Sequence, residues 1–311
     1  MTPRGCHSIA RYLAAKKSVD DRSLNHHVWR SLLNALPRSS PAAPLQVLEV
    51  GAGIGTMVER LQSWGLLTSA EYTAVDADPD SVAEMRRRLP RWMVGQGFRV
   101  ERTAEGRFEC RRSGESITVI TQTADLFDFA ADHQGQSQWN LLIAQALLDV
   151  IDAPKALRSL LPLLRPGGLL YLTITFDGAT IFQPEIDQAL DAKIEELYHR
   201  TMDERIVAGR RSGDSKAGRH LFGHLRATGI EVLEAGGSDW VVFAGPHGYS
   251  ADEAHLLHFI VDTIASALAG HPELDPIQFA EWITLRHAQI EDSTLVYIAH
   301  QLDVLGRKPA R

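Results

Sequence analysis

The polar and apolar positions change period along the chain, and those changes predict its elements. Ile9, Tyr12 and Leu13, then Leu24, Val28, Leu32, Leu33 and Leu36, recur at three- and four-residue spacing, which predicts two helical stretches in the first forty residues. The polar run Ser18–Ser23 separates them. Three prolines between Pro37 and Pro44 then read as a linker, because proline removes a backbone donor and cannot continue a helix. Leu45–Val50 is a short apolar run of the kind that a strand buried on both faces requires. Met57, Val58, Leu61 and Trp64 return to helical spacing until Gly65. Tyr72–Val75 reads as a second strand and Ser81–Leu89 as a helix. Asn140–Ala144, Pro154–Leu164 and Leu169–Thr175 repeat strand, helix, strand, with the turn Pro166–Gly168 before the last. This alternation predicts βαβ units and a parallel sheet.

Between Gly97 and Thr123 apolar and polar residues alternate instead, and Gly106 and Gly114 mark turns, so a β-hairpin insertion is expected there. Beyond it, Pro184–Arg205 predicts a helix, and Asp214 or Ser215 is expected to cap another that ends at Gly229. Ile230–Leu233, Trp240–Ala244 and Leu295–Leu305 read as strands, with two helices between Ala251 and Ile290. The expected fold class is α/β: a doubly wound, mostly parallel Rossmann-like sheet with helices on both faces. An N-terminal helical lid (1–40), a main domain (41–250 and 293–311) with its hairpin insertion (97–123), and a helical cap (251–292) complete the expected organisation.

Composition narrows the function. Hydrophobic residues at 44% and charged residues at 23% are ordinary for a globular chain. Acidic residues outnumber basic ones 39 to 32, the reverse of a general nucleic-acid binder. Cys6 and Cys110 are too few for a disulfide framework and read as reduced thiols. Apolar runs fall short of a membrane span, and Arg4, His7, Arg11, Lys16 and Lys17 interrupt any signal-peptide core. A soluble, cytoplasmic protein is expected, with neither nucleic acid nor membrane as partner.

The most informative segment is Glu49-Val50-Gly51-Ala52-Gly53-Ile54-Gly55-Thr56. Its glycines lie on a strand-to-helix turn, where a ligand can approach the backbone closely. A dinucleotide fingerprint would place its third glycine at 56, where Thr56 stands. A carboxylate at Glu49 would repel a pyrophosphate but suits a ligand carrying an ammonium and a sulfonium. Asp76 ends the second strand, where an acidic side chain accepts from ribose hydroxyls.

With Val75-Asp76-Ala77-Asp78, Ala124-Asp125-Leu126, Leu141–Gln145 and Leu164–Gly168 in the same order, the chain resembles the class I S-adenosylmethionine-dependent methyltransferases over roughly residues 45–180. The resemblance implies S-adenosylmethionine as cofactor. It implies Glu49, Gly51, Ala52, Gly53 and Gly55 around the methionine moiety and Asp76 on the ribose. Ala77, Asp125 and Leu126 would border the adenine, and Ala144 and Gln145 the methyl group.

The acceptor is less defined. Ala144–Leu147 lacks the Asn/Asp-Pro-Pro-Tyr/Phe tetrapeptide that marks methylation of exocyclic base amines, so a small organic molecule is the expected substrate. Asp149 and Asp152 lack an obvious third metal ligand, and no metal is expected. Tyr12, Arg22, Trp29, Phe176 and His258 are the candidates for substrate contact. His258, whose imidazole titrates near neutrality, and Gln145 are the candidates for catalysis. Two rival readings remain: a cofactor-binding scaffold without turnover, and a nicotinamide-dependent oxidoreductase.

Overall fold

The computed structural model describes residues 9–207 and 209–310, so Cys6, together with Arg4 and His7, lies outside the described residues. The chain begins with α1 (Ile9–Ala15), α2 (Lys17–Ser23) and α3 (His26–Ala35). The polar run expected to separate two helices is therefore itself helical. Its charges pair at four-residue spacing, Lys16 with Asp20 at 3.5 Å and Lys17 with Asp21 at 2.5 Å, while Val19 is buried. Asn25 then caps α3, its side chain accepting from the amides of His27 and Val28.

The main domain runs β1 (Leu45–Val50), α4 (Thr56–Ser63), β2 (Ser69–Asp76), α5 (Pro79–Gly95), β3 (Arg99–Ala104), β4 (Arg107–Arg112), β5 (Glu115–Thr123), α6 (Leu126–Asp132), β6 (Trp139–Gln145), α7 (Ala153–Leu160) and β7 (Leu164–Gln183). It continues through α8 (Gln188–Asp203), the small pair β8 (Ile206–Val207) and β9 (Arg210–Arg211), α9 (Ala217–Ala227), β10 (Glu231–Gly237) and β11 (Trp240–Val242). The cap helices α10 (Glu253–Ala267) and α11 (Pro276–Glu291) precede β12 (Val296–Arg307).

In space the strands lie β3-β4-β5-β2-β1-β6-β7-β12-β10, with β11 also on β12. The five from β5 to β7 are parallel, and both flanks are antiparallel. The fold is the expected Rossmann-like one. Leu45 and Val47 point into a core shared with α3, α4 and α5, whereas Leu48 and Val50 point into one shared with α6, α7 and α9. That two-sided burial is why β1 is apolar at Leu45, Val47, Leu48 and Val50.

Three departures have local causes. Strand β5 closes the antiparallel hairpin with β4 and is also the parallel neighbour of β2, so the alternating stretch holds one strand of the central sheet. Helix α5 runs past Pro90 to Gly95, although the proline lacks the donor for the Arg86 carbonyl. Arg102, from β3, supplies it from Nη2 at 3.2 Å. Helix α9 begins after Lys216 with no side-chain cap. The expected caps are used elsewhere: the Ser215 hydroxyl donates to Asp203, and Asp214 accepts from the Lys216 amide.

The described part of the N-terminal arm packs into the fold. Val28, Trp29 and Leu32 are buried in the central core, and Ala15, Val19 and Leu24 pack with the cap helices. Strand β7 bends at Ile174 (φ 53°) and Gly178 (φ 78°) and carries its last residues out to support the cap. Among the described residues, no helix is long and apolar enough to cross a membrane.

Candidate active site

Strand β1 has β2 on one side and β6 on the other. The chain therefore leaves β1 in one direction and returns in the other, which makes the carboxyl ends of β1 and β6 the switch point where open α/β sheets bind ligands in a crevice. Gly51, Gly53 and Gly55 line it with φ of 68°, 53° and 83°. At Gly55 a side chain is excluded by packing as well, since a Cβ would lie 2.8 Å from Leu89 and Met85 of α5. A Cβ on Gly51 would meet Leu147 at 3.0 Å, and one on Gly53 would meet Leu13 at 3.0 Å. The arm and the loop after β6 thus close over the glycines with two aliphatic side chains.

Asp76 fixes this loop. Its Oδ2 accepts from the Gly53 amide at 2.7 Å and its Oδ1 from the Asp78 amide at 2.9 Å. A carboxylate has further lone pairs, so both oxygens retain capacity for hydroxyl donors. Ala77 is exposed beside it. Asp125 caps α6, with Oδ1 accepting from the Phe127 amide at 2.7 Å, and Leu126 is buried beneath. Ala144 is buried opposite Val50 in the β1–β6 register.

Glu49 occupies a different place from the one its sequence position suggests. It faces β2, is buried, and accepts from the Tyr72 hydroxyl at 2.7 Å. Burial raises its pKa from 4.5 to about 8, against the smaller opposing effects of the Tyr72 bond and Arg60. Burial thus favours its protonated form. The folded state holds this proton more tightly than the unfolded chain. Its stabilising effect is therefore complete below about pH 4.5 and is lost as pH rises through about 8. Asp149 and Asp303, each raised by burial to about 6, act with the same sign at lower pH. Glu49→Gln keeps an acceptor for Tyr72, and denaturant unfolding at stepped pH is expected to show a shallower decline toward pH 8 than wild type. Superimposable profiles would reject the assignment.

A buried polar network that the sequence did not reveal joins the arm to this crevice. Arg60, on α4, donates from Nη1 to Gln145 Oε1 at 2.7 Å and from Nε to Asp21 at 2.6 Å. Gln145 Nε2 donates to Asp20 at 2.7 Å, and Trp240 Nε1 donates to the other Asp20 oxygen at 3.0 Å. Gln145 is thereby held at both ends. Asp149, four residues on, has a buried Oδ1 with no hydrogen-bond partner, and its charge acts on both Tyr12 and Tyr198.

Of the substrate candidates, Tyr12 stacks on Phe259 of α10 with ring centroids 4.0 Å apart. Arg22 engages both Glu253 oxygens and the Val241 carbonyl, clamping arm to cap. Trp29 packs edge-on against Trp64, and Phe176 is buried in the cap-side core. Tyr12 and Arg22 thus join the arm to the cap, whereas Trp29 and Phe176 are core residues. His258 lies in the α10–α11 seam, 2.7 Å from His287, which in turn reaches Asp262 at 3.1 Å. Among the described residues, no group of three His, Cys, Asp or Glu side chains could hold a metal ion.

A family model described as a methyltransferase domain matches residues 22–205. No curated protein matches the chain. Among solved structures, the chain is similar to phosphoethanolamine N-methyltransferase 2 of Haemonchus contortus, a complex with phosphomonomethylethanolamine and S-adenosylhomocysteine, at 9% identity and a TM-score of 0.48. That match covers 97% of this chain and 58% of the other. Geranyl diphosphate methyltransferase in complex with S-adenosylmethionine is similar at 11% identity and a TM-score of 0.45, covering 98% of this chain and 92% of that one. The echinomycin-pathway protein that converts a disulfide bond into a thioacetal group is similar at 13% and 0.45, covering 93% and 83%.

Proposed function

We propose that this chain, which belongs to the methyltransferase-domain family, transfers a methyl group from S-adenosylmethionine to a small organic molecule in an enclosed pocket. The observation that carries the reading is the left-handed glycine loop held by Asp76 at the sheet's switch point. The fit to the cofactor is chemical. Gly51 and Gly53 offer a cradle whose nearest side chains are the movable ends of Leu147 and Leu13, Asp76 has lone pairs for two ribose hydroxyls, and Asp125 has an oxygen for the adenine amine.

When bound, S-adenosylmethionine supplies an electrophilic methyl carbon on a sulfonium. The chain's own part is placement and exclusion of water. The closed arm, clamped by Arg22 and by the Arg60–Gln145–Asp20 network, would align donor and acceptor, and in-line displacement gains much of its rate from alignment. For an acceptor that must lose a proton, Asp149 is better suited than His258, because its orphaned oxygen lies in the loop beside the crevice.

The nicotinamide reading is disfavoured by Thr56 where the fingerprint needs glycine. The scaffold reading predicts cofactor binding without turnover. Incubating the full chain with methyl-labelled S-adenosylmethionine and a panel of small hydroxyl and amine compounds separates the two: label transferred to a panel member supports the enzyme, and binding without transfer supports the scaffold. Asp76→Ala is expected to weaken cofactor binding by about 1–3 kcal/mol through lost charged hydrogen bonds. Unchanged affinity by calorimetry would remove Asp76 from the ribose site.

A further inference from the structure

A second cavity, of about 290 Å³, lies between the outer end of β7, α8 and the cap. Its walls carry three aromatic rings, Phe182, Tyr198 and Trp282, and three carboxylates, Glu185, Asp191 and Glu195, with no basic side chain among the described lining residues. Phe182 and Trp282 stand at 89° to one another with centroids 5.7 Å apart, forming two perpendicular apolar walls. Trp282 is buried at the floor, while Glu185 is exposed at the mouth.

The carboxylates are not equivalent. Asp191 accepts from Trp282 Nε1 at 2.6 Å and from Arg286 Nη2 at 2.5 Å, so its charge is already paired. Arg286, which does not line the cavity, lies 5.1 Å from the centroids of both Phe182 and Trp282, so these rings already hold one cation. Glu195 uses Oε1 to accept from the Thr180 amide at 2.8 Å, which leaves Oε2 for a ligand. Glu195 and Glu185 are thus the charges that a guest would meet.

We propose that this cavity binds a small organic cation of the alkylammonium class. Anions are repelled by the carboxylates, and a neutral apolar guest would desolvate Glu195 without compensation. A hard metal ion needs six or more oxygen ligands, and among the described residues Glu185, Asp191 and Glu195 do not form a group that could hold one. A methylated ammonium is weakly hydrated, suits the ring faces and pairs with the free carboxylate. The site requires no cofactor and stands apart from the methyl-transfer reading.

The test is titration of the full chain, with ¹⁵N-labelled tryptophan, by tetramethylammonium and by tert-butyl alcohol as the uncharged isostere. The probe is the Trp282 indole N–H, identified by its loss in Trp282→Phe. Tetramethylammonium is expected to shift it saturably and tert-butyl alcohol to leave it in place. Glu195→Gln, which keeps an acceptor for Thr180, should weaken binding about tenfold. Should that variant fail to fold, Glu185→Gln on the exposed rim is read instead, with a smaller loss in the same direction. No response to tetramethylammonium, an equal response to the alcohol, or undiminished affinity in the folded variant would overturn the proposal.

Discussion

Asp20→Ala is expected to lower the stability of the folded chain by about 3–5 kcal/mol, the cost of leaving a buried charge without its partner. Asp20 is fully buried and accepts from Gln145 and Trp240, with Lys16 at 3.5 Å and Arg60 at 3.9 Å. Its removal strands two buried donors and leaves Arg60 dependent on the partly exposed Asp21. An exposed ion pair would contribute only a fraction of that. The contrast lies within the same helix: Lys17→Ala, which breaks only the part-exposed pair with Asp21, should cost less than about 1 kcal/mol. Denaturant unfolding of both variants checks the account, and equal losses would contradict it. The same network makes removal of residues 1–36 a folding defect first and a loss of turnover second, since Val28, Trp29 and Leu32 leave the core with it.

Gly55→Val should be comparably damaging, by about 2–5 kcal/mol. The left-handed backbone at φ 83° accounts for roughly 1–2 kcal/mol of this. Overpacking against Leu89 and Met85, 2.8 Å from the new Cβ, adds about 1–3 kcal/mol. Gly65 provides the control. Its φ is 77°, but nothing lies within 4 Å of a Cβ there, so Gly65→Ala carries the backbone cost alone. Equal thermal shifts for the two variants would mean that packing between the glycine turn and α5 contributes nothing.

Much of the fold was legible because its physics is local. A strand buried on both faces is mostly apolar, as Leu45–Val50 is at four of its six positions, and a left-handed turn favours glycine, as at 51, 53 and 55. Asp76, expected near those turns, accepts from the Gly53 amide.

What was not legible depends on partners distant in sequence. Arg60 reads as an ordinary helical arginine until Asp21 and Gln145, 39 and 85 residues away, close on it. Helix α5 passes Pro90 because a strand beyond the helix satisfies the freed carbonyl. Trp29 and Phe176 resemble pocket aromatics by composition, yet burial assigns both to cores. The position of Glu49 at a strand end gives no sign of its burial against Tyr72. The Ser18–Ser23 run carried one readable signal, the lysine–aspartate doublets at four-residue spacing, which mark it as helix.

The central claim is that the glycine crevice holds an adenosyl sulfur compound. Titration calorimetry of the full chain with S-adenosylhomocysteine, and with NAD as the control, tests it most directly. Micromolar affinity, about −8 kcal/mol, is expected for the first and no heat of binding for the second. Binding of NAD alone, or of neither, would contradict it.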